Sequence, residues 1–326
     1  MEVVLKLLVT GASGFVGSPL VHHLASLGHD LVALTRAVPR TEFSASEHVK
    51  FRAVGDIDGS TNWSSYLEGA DAVIHLANRA HVMNEQVKDP LSLYRSINTA
   101  GTLQLARQAA TAGVKRFIFI SSVKVNGELT LPGKPFKADD VSLPLDPYGL
   151  SKYEAEIGLK KISEETSLEV VIIRPPLIYG PGVKANFLKM MQWIDRGVPL
   201  PFGSIHNQRS LIGIDNLLDF IVVCLNHTNA AGKTFLVSDD HDLSTTELLR
   251  KIAYAMGKPS RLIPVPQAIL RFLLIIFGQR HIAERLCGSL QLDIQYTKDQ
   301  LGWQPPCSVE DQLIKTIRAY QLKKSD

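Results

Sequence analysis

The sequence predicts an α/β fold: a doubly wound parallel sheet covered by helices on both faces, followed by a smaller, mostly helical C-terminal lobe. Three observations predict it. Short runs rich in Val, Leu and Ile recur through the first half. Segments of helical pattern lie between them. A glycine-rich turn, "VTGASGFVG", directly follows the first apolar run. Continuous apolar runs of strand length fit strands buried on both faces, as in parallel sheets flanked by helices. In such Rossmann-type folds a ligand binds beyond the carboxyl ends of the strands.

Each element has its own warrant. "KLLVTG" reads as the first strand and "FVGSPLVHHLASLG" as a helix closed by Gly28. "DLVALTR" and "VKFRAVGD" are the next strands, and "NWSSYLEG" is a helix. "ADAVIHLA" and "RFIFISS" follow as strands, separated by the long helical stretch "PLSLYRSINTAGTLQLARQAATAG". A helix around Tyr148 and the strand "EVVIIRP" complete this half. After Pro175 proline and glycine become frequent, and the pattern predicts helices at 184–196, 215–227, 244–256 and 308–322, with short strands near 209–214 and 233–237. The division is a dinucleotide-binding domain over 1–175 and a substrate lobe over 176–326, with segments around 209–237 returning to the first.

The bulk properties narrow the classes of function. The chain has 326 residues, 45% hydrophobic and 21% charged, which is ordinary globular composition. A net charge of +3 without a basic run gives no nucleic-acid surface. Cys224, Cys287 and Cys307 are odd in number and lack ligand spacing, so no metal site is expected and a reducing, cytoplasmic setting is. "MEVVLKLLVTGASGF" has no small-residue cleavage site of a secretory signal. "AILRFLLIIFG", 268–278, is too short to span a bilayer and contains Arg271. It reads as a buried or amphipathic helix, with interfacial membrane contact as the other reading.

Two motifs carry chemistry. Gly11, Gly14 and Gly17 stand at GxxGxxG spacing between a strand and a helix. Glycine allows a tight turn and close backbone approach to a pyrophosphate, and the helix N-terminus supplies N–H groups and a positive dipole end. At the end of the second strand Thr35 stands where an NAD site carries an acid, and Arg36 follows. An arginine there pairs with a 2′-phosphate, which favours NADP(H), with NAD(H) as the other cofactor. Asp56 and Ile57 follow the third strand, placed to meet the adenine. The second motif is "DPYGLSKYEAE", 146–156, which sets Tyr148 and Lys152 one helical turn apart. A positive neighbour lowers the pKa of a phenol, so the pair reads as a proton-transfer device.

These motifs come in an order that resembles the extended short-chain dehydrogenase/reductases, the group of nucleotide-sugar epimerases, dehydratases and reductases. The matching stretches are "TGASGFVG", "GDI", "HLAN" at 75–78, "NTAGT" at 98–102, "FISS" at 119–122, "YGLSK" at 148–152, "RPPLIYGPG" at 174–182 and "RSLIGIDNLLD" at 209–219. The resemblance implies that Ser122, Tyr148 and Lys152 are catalytic. Tyr148 would exchange a proton with the sugar oxygen, Ser122 would hydrogen-bond that oxygen, and Lys152 would hold the nicotinamide ribose. It also implies cofactor contacts from Ser13, Phe15, Val16, Leu76, Ala77, Asn98 and Pro175. Lys124 and Asn126 in the serine loop become candidates for sugar contacts, and Asn186, Arg209 and Arg285 for contacts to a UDP moiety. A diphosphate wants planar bidentate donors, which arginine supplies. Helices near 92–112 and 147–165 pair subunits in this family, which implies a homodimer.

Within the family, "HLANRAHVMNE", "SSVKVNGE", "VKANFLKMMQWIDRG" and "RLCGSLQLD" are similar to bacterial reductases of UDP-4-keto-6-deoxy-N-acetylglucosamine, which make UDP-N-acetylquinovosamine for surface polysaccharides. The leading expectation is therefore reduction of a UDP-4-ketosugar at C4, supported by Arg36. The alternative is a UDP-hexose 4-epimerase with tightly bound NAD. A dehydratase is less well matched, because Glu128 lacks an acidic partner beside the serine. A non-catalytic cofactor-binding regulator would be expected to lose the Tyr/Lys pair that this chain keeps.

Overall fold

The structure is a computed structural model and describes residues 4–37, 47–80, 89–140 and 142–325. The end of the motif "HLANRAHVMNE" lies outside the described residues. A seven-stranded parallel sheet is built from β1 (Lys6–Thr10), β2 (Asp30–Thr35), β3 (Val49–Ala53), β4 (Ala72–His75), β5 (Arg116–Ile120), β6 (Glu169–Arg174) and β9 (Thr234–Leu236). The spatial order is β3-β2-β1-β4-β5-β6-β9. β7 (Leu177–Tyr179) and β8 (Leu211–Gly213) form a separate parallel pair.

Both faces of the large sheet are apolar. Leu7, Val9, Ile74, Ile118 and Ile173 enter one core, while Leu8, Val73, Phe117, Phe119 and Ile172 enter the other. Alternate residues of a strand point to opposite faces, so strands covered on both sides need apolar residues throughout. The first core is closed by α1 (Gly17–Ser26) and α7 (Ile214–Asn226). The second is closed by α2 (Ser64–Leu67), α4 (Thr102–Thr111) and α5 (Pro147–Glu165). The strand order reverses between β1 and β4, where Thr10 stands opposite His75. A crevice for a ligand opens at such a switch point.

A third core joins α6 (Ala185–Asp195), α8 (Thr245–Ala255) and α12 (Val309–Ser325) through Phe187, Met191, Leu249, Ile252, Leu313 and Ile317. α8 opens on a capping box in which Ser244 and Glu247 each bond the other's backbone N–H. The remaining helices are α3 (Pro90–Tyr94), α9 (Gln267–Ile276), α10 (Arg280–Cys287) and α11 (Gln295–Leu301). Beyond α10 the chain returns to the sheet: Leu290, Leu292, Ile294 and Trp303 lie in the first core.

Two local expectations are corrected. The stretch 90–113 is not one regular helix, because α3 and α4 are joined by a π-helical segment, Arg95–Gly101. Its wider turn carries Asn98 inward, and such widenings recur at functional sites. The stretch 268–278, expected to be a buried or amphipathic helix, is helical over α9, and only the buried reading fails. Leu270 is its one buried residue, while Ile269, Phe272, Leu273, Ile275, Ile276 and the following Phe277 are between 43% and 74% exposed.

Candidate active site

β1 delivers the chain into the glycine turn. Gly11 has φ +68°, and a Cβ there would lie 2.8 Å from the backbone nitrogen of Ala77. A Cβ on Gly17 would lie 2.0 Å from the Gly11 carbonyl oxygen. Gly14 N–H donates to that same oxygen at 2.9 Å. Ser13 and Gly14 are exposed at the tip, and Phe15 and Val16 pack against the first core. α1 then starts with neither a side-chain cap nor an acid in its first turn. Its leading N–H groups and positive dipole end are the fitting partners for a pyrophosphate. Gly17→Ala is expected to abolish dinucleotide retention, because the methyl must overlap the turn. Quantifying nucleotide released from the denatured variant checks this, and retention equal to the wild type would sink the claim.

Opposite the turn, Leu76 and Ala77 follow β4, and a directed chain of hydrogen bonds fixes them. Ala77 N–H donates to Thr10 Oγ1 at 3.1 Å, which meets His75 Nδ1 at 2.7 Å. His75 Nε2 meets Thr102 Oγ1 at 2.9 Å, and Thr102 Oγ1 donates to the Asn98 carbonyl at 2.7 Å. Each donor finds an acceptor when His75 is neutral and protonated on Nε2. Burial, helped by the Lys152 charge, pushes the His75 pKa down to about 3 and keeps it neutral. The sequence reading missed this relay; the buried polar string Thr–His–Thr has no local signature.

Asn98 is a correction. Its side chain is fully buried, accepts from Arg79 N–H at 2.8 Å and donates to Arg79 O at 3.2 Å and Ser151 Oγ at 3.1 Å. It ties the loop after β4 to α5, with both amide hydrogens spent within the protein. Ile57 is packed into the second core. Asp56 is exposed and pairs with Arg36 at 3.0 Å. The Pro175 carbonyl accepts from Val123 N–H at 3.0 Å, joining the end of β6 to the serine loop.

The flanking residues of Tyr148 start a helix. Asp146 is the N-cap of α5, accepting from Gly149 N–H at 3.0 Å, and Pro147 occupies the first helical position. The Tyr148 ring meets Tyr94 edge-on with centroids 6.0 Å apart, and its hydroxyl bonds Ser122. One turn on, Lys152 is 1% exposed, donates to the Ile120 carbonyl at 2.9 Å and lies 4.5 Å from the Phe119 ring centroid. Ser122, Tyr148 and Lys152 thus converge at the carboxyl end of β5.

The charge state differs from the sequence expectation of a phenol lowered by Lys152. Burial pushes Tyr148 up to about 12, against the pull of the Ser122 hydrogen bond. Burial also pushes Lys152 down to about 7, opposed by the Glu156 charge. Desolvation penalises both charged forms.

A buried ion pair braces this apparatus. Glu156, 2% exposed, meets Arg174, 1% exposed, at 2.6 Å, and also accepts from Ser121 Oγ at 2.5 Å. Arg174 donates in addition to Asn126 Oδ1 at 3.1 Å and to the Ala138 carbonyl at 3.2 Å. Asn126 in turn donates to the Lys137 and Asp140 carbonyls at 2.8 and 2.9 Å. Asn126 is therefore a second correction: it is buried and bonded within the protein, not presented to a sugar. Neither Glu156 nor Arg174 was singled out in the sequence.

The other predicted contacts are spread along the route to the C-terminal lobe. Lys124 is held by Glu128 at 3.0 Å and Asp146 at 3.3 Å. Asn186 is exposed in the first turn of α6, directly after Ala185 at φ +53°. Arg209 donates to the carbonyls of Gly288 at 3.1 Å and Arg285 at 3.4 Å. Burial, then the neighbouring Arg285 charge, lowers the Arg209 pKa. Two adjacent, partly buried guanidiniums are stabilised by an anion between them. The strap after the serine loop links the two regions, with Thr130 N–H donating to Ser289 O at 2.8 Å. A cavity of about 640 Å³ lined by Lys137, Asp139, Arg174, Lys233, Tyr296 and Asp299, among others, contains none of the predicted site residues.

A family model described as the NAD dependent epimerase/dehydratase family matches residues 7–238. The chain is 49% identical over 316 residues to a UDP-glucose 4-epimerase of Vibrio cholerae, covering 97% of this chain and 95% of that one. A structure of a UDP-glucuronic acid 4-epimerase from Bacillus cereus in complex with NAD matches with a TM-score of 0.78 at 22% identity, over 97% of this chain and 99% of that one. A UDP-glucose 4-epimerase with UDP-glucose from Thermotoga maritima matches with a TM-score of 0.78 at 22% identity, over 98% and 99%. At these identities the two structures establish the shared fold.

Proposed function

The chain belongs to the NAD dependent epimerase/dehydratase family, and from that premise we propose that it is a UDP-hexose 4-epimerase working with NAD. The observation that carries the choice of reaction is the near-half identity, over almost the whole chain, to a UDP-glucose 4-epimerase. This reverses the order in which the sequence ranked the two reactions. The reductase rested on motif similarity with Arg36 in support, and the NADP preference on Arg36 itself. Its guanidinium lies 3.0 Å from the Asp56 carboxylate, so a 2′-phosphate placed on Arg36 would meet a negative charge.

NAD, when bound, supplies the hydride acceptor and donor for the sugar C4 carbon, and a positive charge. The chain's residues handle the proton. Tyr148 would take the proton of the C4 hydroxyl and later return it to the same oxygen. Ser122 would hydrogen-bond the same oxygen, and Lys152 would hold the nicotinamide ribose. Arg209 and Arg285 would grip the diphosphate, with Asn186 as a further contact to the UDP moiety. Residues 1–175 carry the dinucleotide and 176–326 most of the nucleotide sugar. A homodimer through 92–112 and 147–165 completes the reading.

The test uses protein as purified. Denaturation should release NAD, and the native protein should convert UDP-glucose to UDP-galactose without net oxidation or reduction. An empty protein that oxidises NADPH in step with a UDP-4-ketosugar would overturn the epimerase reading.

A further inference from the structure

We infer that the hairpin of α9 and α10 is a membrane-docking surface that seats the protein on an anionic bilayer. α9 is ten residues, about 15 Å long, so it lies on a membrane rather than across one. Among the described residues no helix is long and apolar enough to span. From Gln267 to Phe277 the chain reads QAILRFLLIIF, with Arg271 its one charged residue. A helix apolar on nearly all sides belongs in a core or in lipid. Here Leu270, with Leu274 packed beside it, faces the third core. Six large apolar side chains within nine residues, Ile269 to Phe277, stay exposed. Single exposed hydrophobics are ordinary, but a contiguous patch of this size marks an interaction surface.

The charge around the patch selects the occupant. Between Lys258 and Leu290 there are five Lys or Arg (258, 261, 271, 280 and 285) against one acid, Glu284; Lys258 is paired with Asp195 and Arg280 with Glu284, so the positive charge rests on Arg261, Arg285 and Arg271, the last inside the apolar run. A two-fold dimer through this face would set these like charges against their own copies. An anionic lipid surface complements them and takes the Phe, Leu and Ile side chains into its headgroup boundary. Both ends of the hairpin are tied to the fold: His206 N–H donates to Gln267 Oε1 at 3.0 Å and Thr245 Oγ1 to the Leu286 carbonyl at 2.8 Å. α10 carries Arg285 beside Arg209. Docking therefore places the proposed diphosphate-binding arginines near the membrane surface, whichever hexose they serve.

Co-sedimentation of the full chain with vesicles tests this, comparing phosphatidylcholine alone with phosphatidylcholine plus phosphatidylglycerol. The wild type is expected to bind the anionic vesicles and to be released by salt. Phe272→Asp/Ile276→Asp/Phe277→Asp should weaken binding at least about tenfold, and Arg271→Gln roughly fivefold. Turnover of soluble UDP-hexose should be unchanged in both variants. The milder Phe272→Ser/Phe277→Ser replaces the triple variant if that fails to fold. Wild-type protein that stays in the supernatant with anionic vesicles overturns the proposal. So does a variant that binds as the wild type does. A wild-type dimer that the apolar substitutions split into monomers, with no vesicle binding, would assign the face to a second copy instead.

Discussion

Tyr148→Phe is expected to lower kcat for UDP-glucose epimerisation by about 10²–10⁴-fold, with NAD still bound and KM little changed. The substitution removes one oxygen and leaves the ring, which packs edge-on to Tyr94. The fold has no reason to move. The lost oxygen is the one bonded to Ser122 at the carboxyl end of β5, where a C4 oxygen would be placed. A loss confined to kcat marks an interaction made in the transition state, whereas a rise in KM alone marks ground-state binding. Burial holds the free phenol up near 12, so at neutral pH it stands as an acid and becomes a base once positive charge is brought beside it. Turnover equal to the wild type would remove Tyr148 from the chemistry altogether.

The parts of this site that the sequence revealed are those whose cause is local. Gly17 is legible because the turn it closes has no room for a Cβ, and strand, turn and helix are adjacent in the chain. The start of α5 is legible because an Asp N-cap and a Pro at the first position act within four residues. Contacts between distant positions were not legible. Arg36 and Asp56 are twenty residues apart and were read singly, so their ion pair was missed. Asn98 and Asn126 lie in stretches that match the family, but their side chains are turned toward partners 19 and 48 residues away. The apolar run at 268–278 was visible as composition. Composition alone does not say whether a core, a lipid or a partner covers it.

Glu156→Ala is expected to destabilise the protein by about 3–5 kcal/mol, because it strands the Arg174 charge in a dry interior. Thermal unfolding should fall by roughly 5–15 °C. The damage belongs to the unpaired charge more than to the missing contact. Glu156→Leu combined with Arg174→Met should therefore cost less than the sum of the single changes, by about 1–3 kcal/mol. Some cost persists, since Arg174 also serves Asn126 and the Ala138 carbonyl. Glu156 has a second effect that stability alone does not report. Its charge raises the Lys152 pKa against burial, which holds that ammonium near 7. Glu156→Gln takes this support away, so Lys152 gives up its proton at lower pH and the alkaline limb of the turnover profile should move to lower pH. A purely structural brace would lower the melting temperature and leave that limb where it is. Movement of the limb makes Glu156 a positioning residue acting through Lys152, and the same buried pair then serves both the packing of α5 on β6 and the charge state of the Lys152 ammonium.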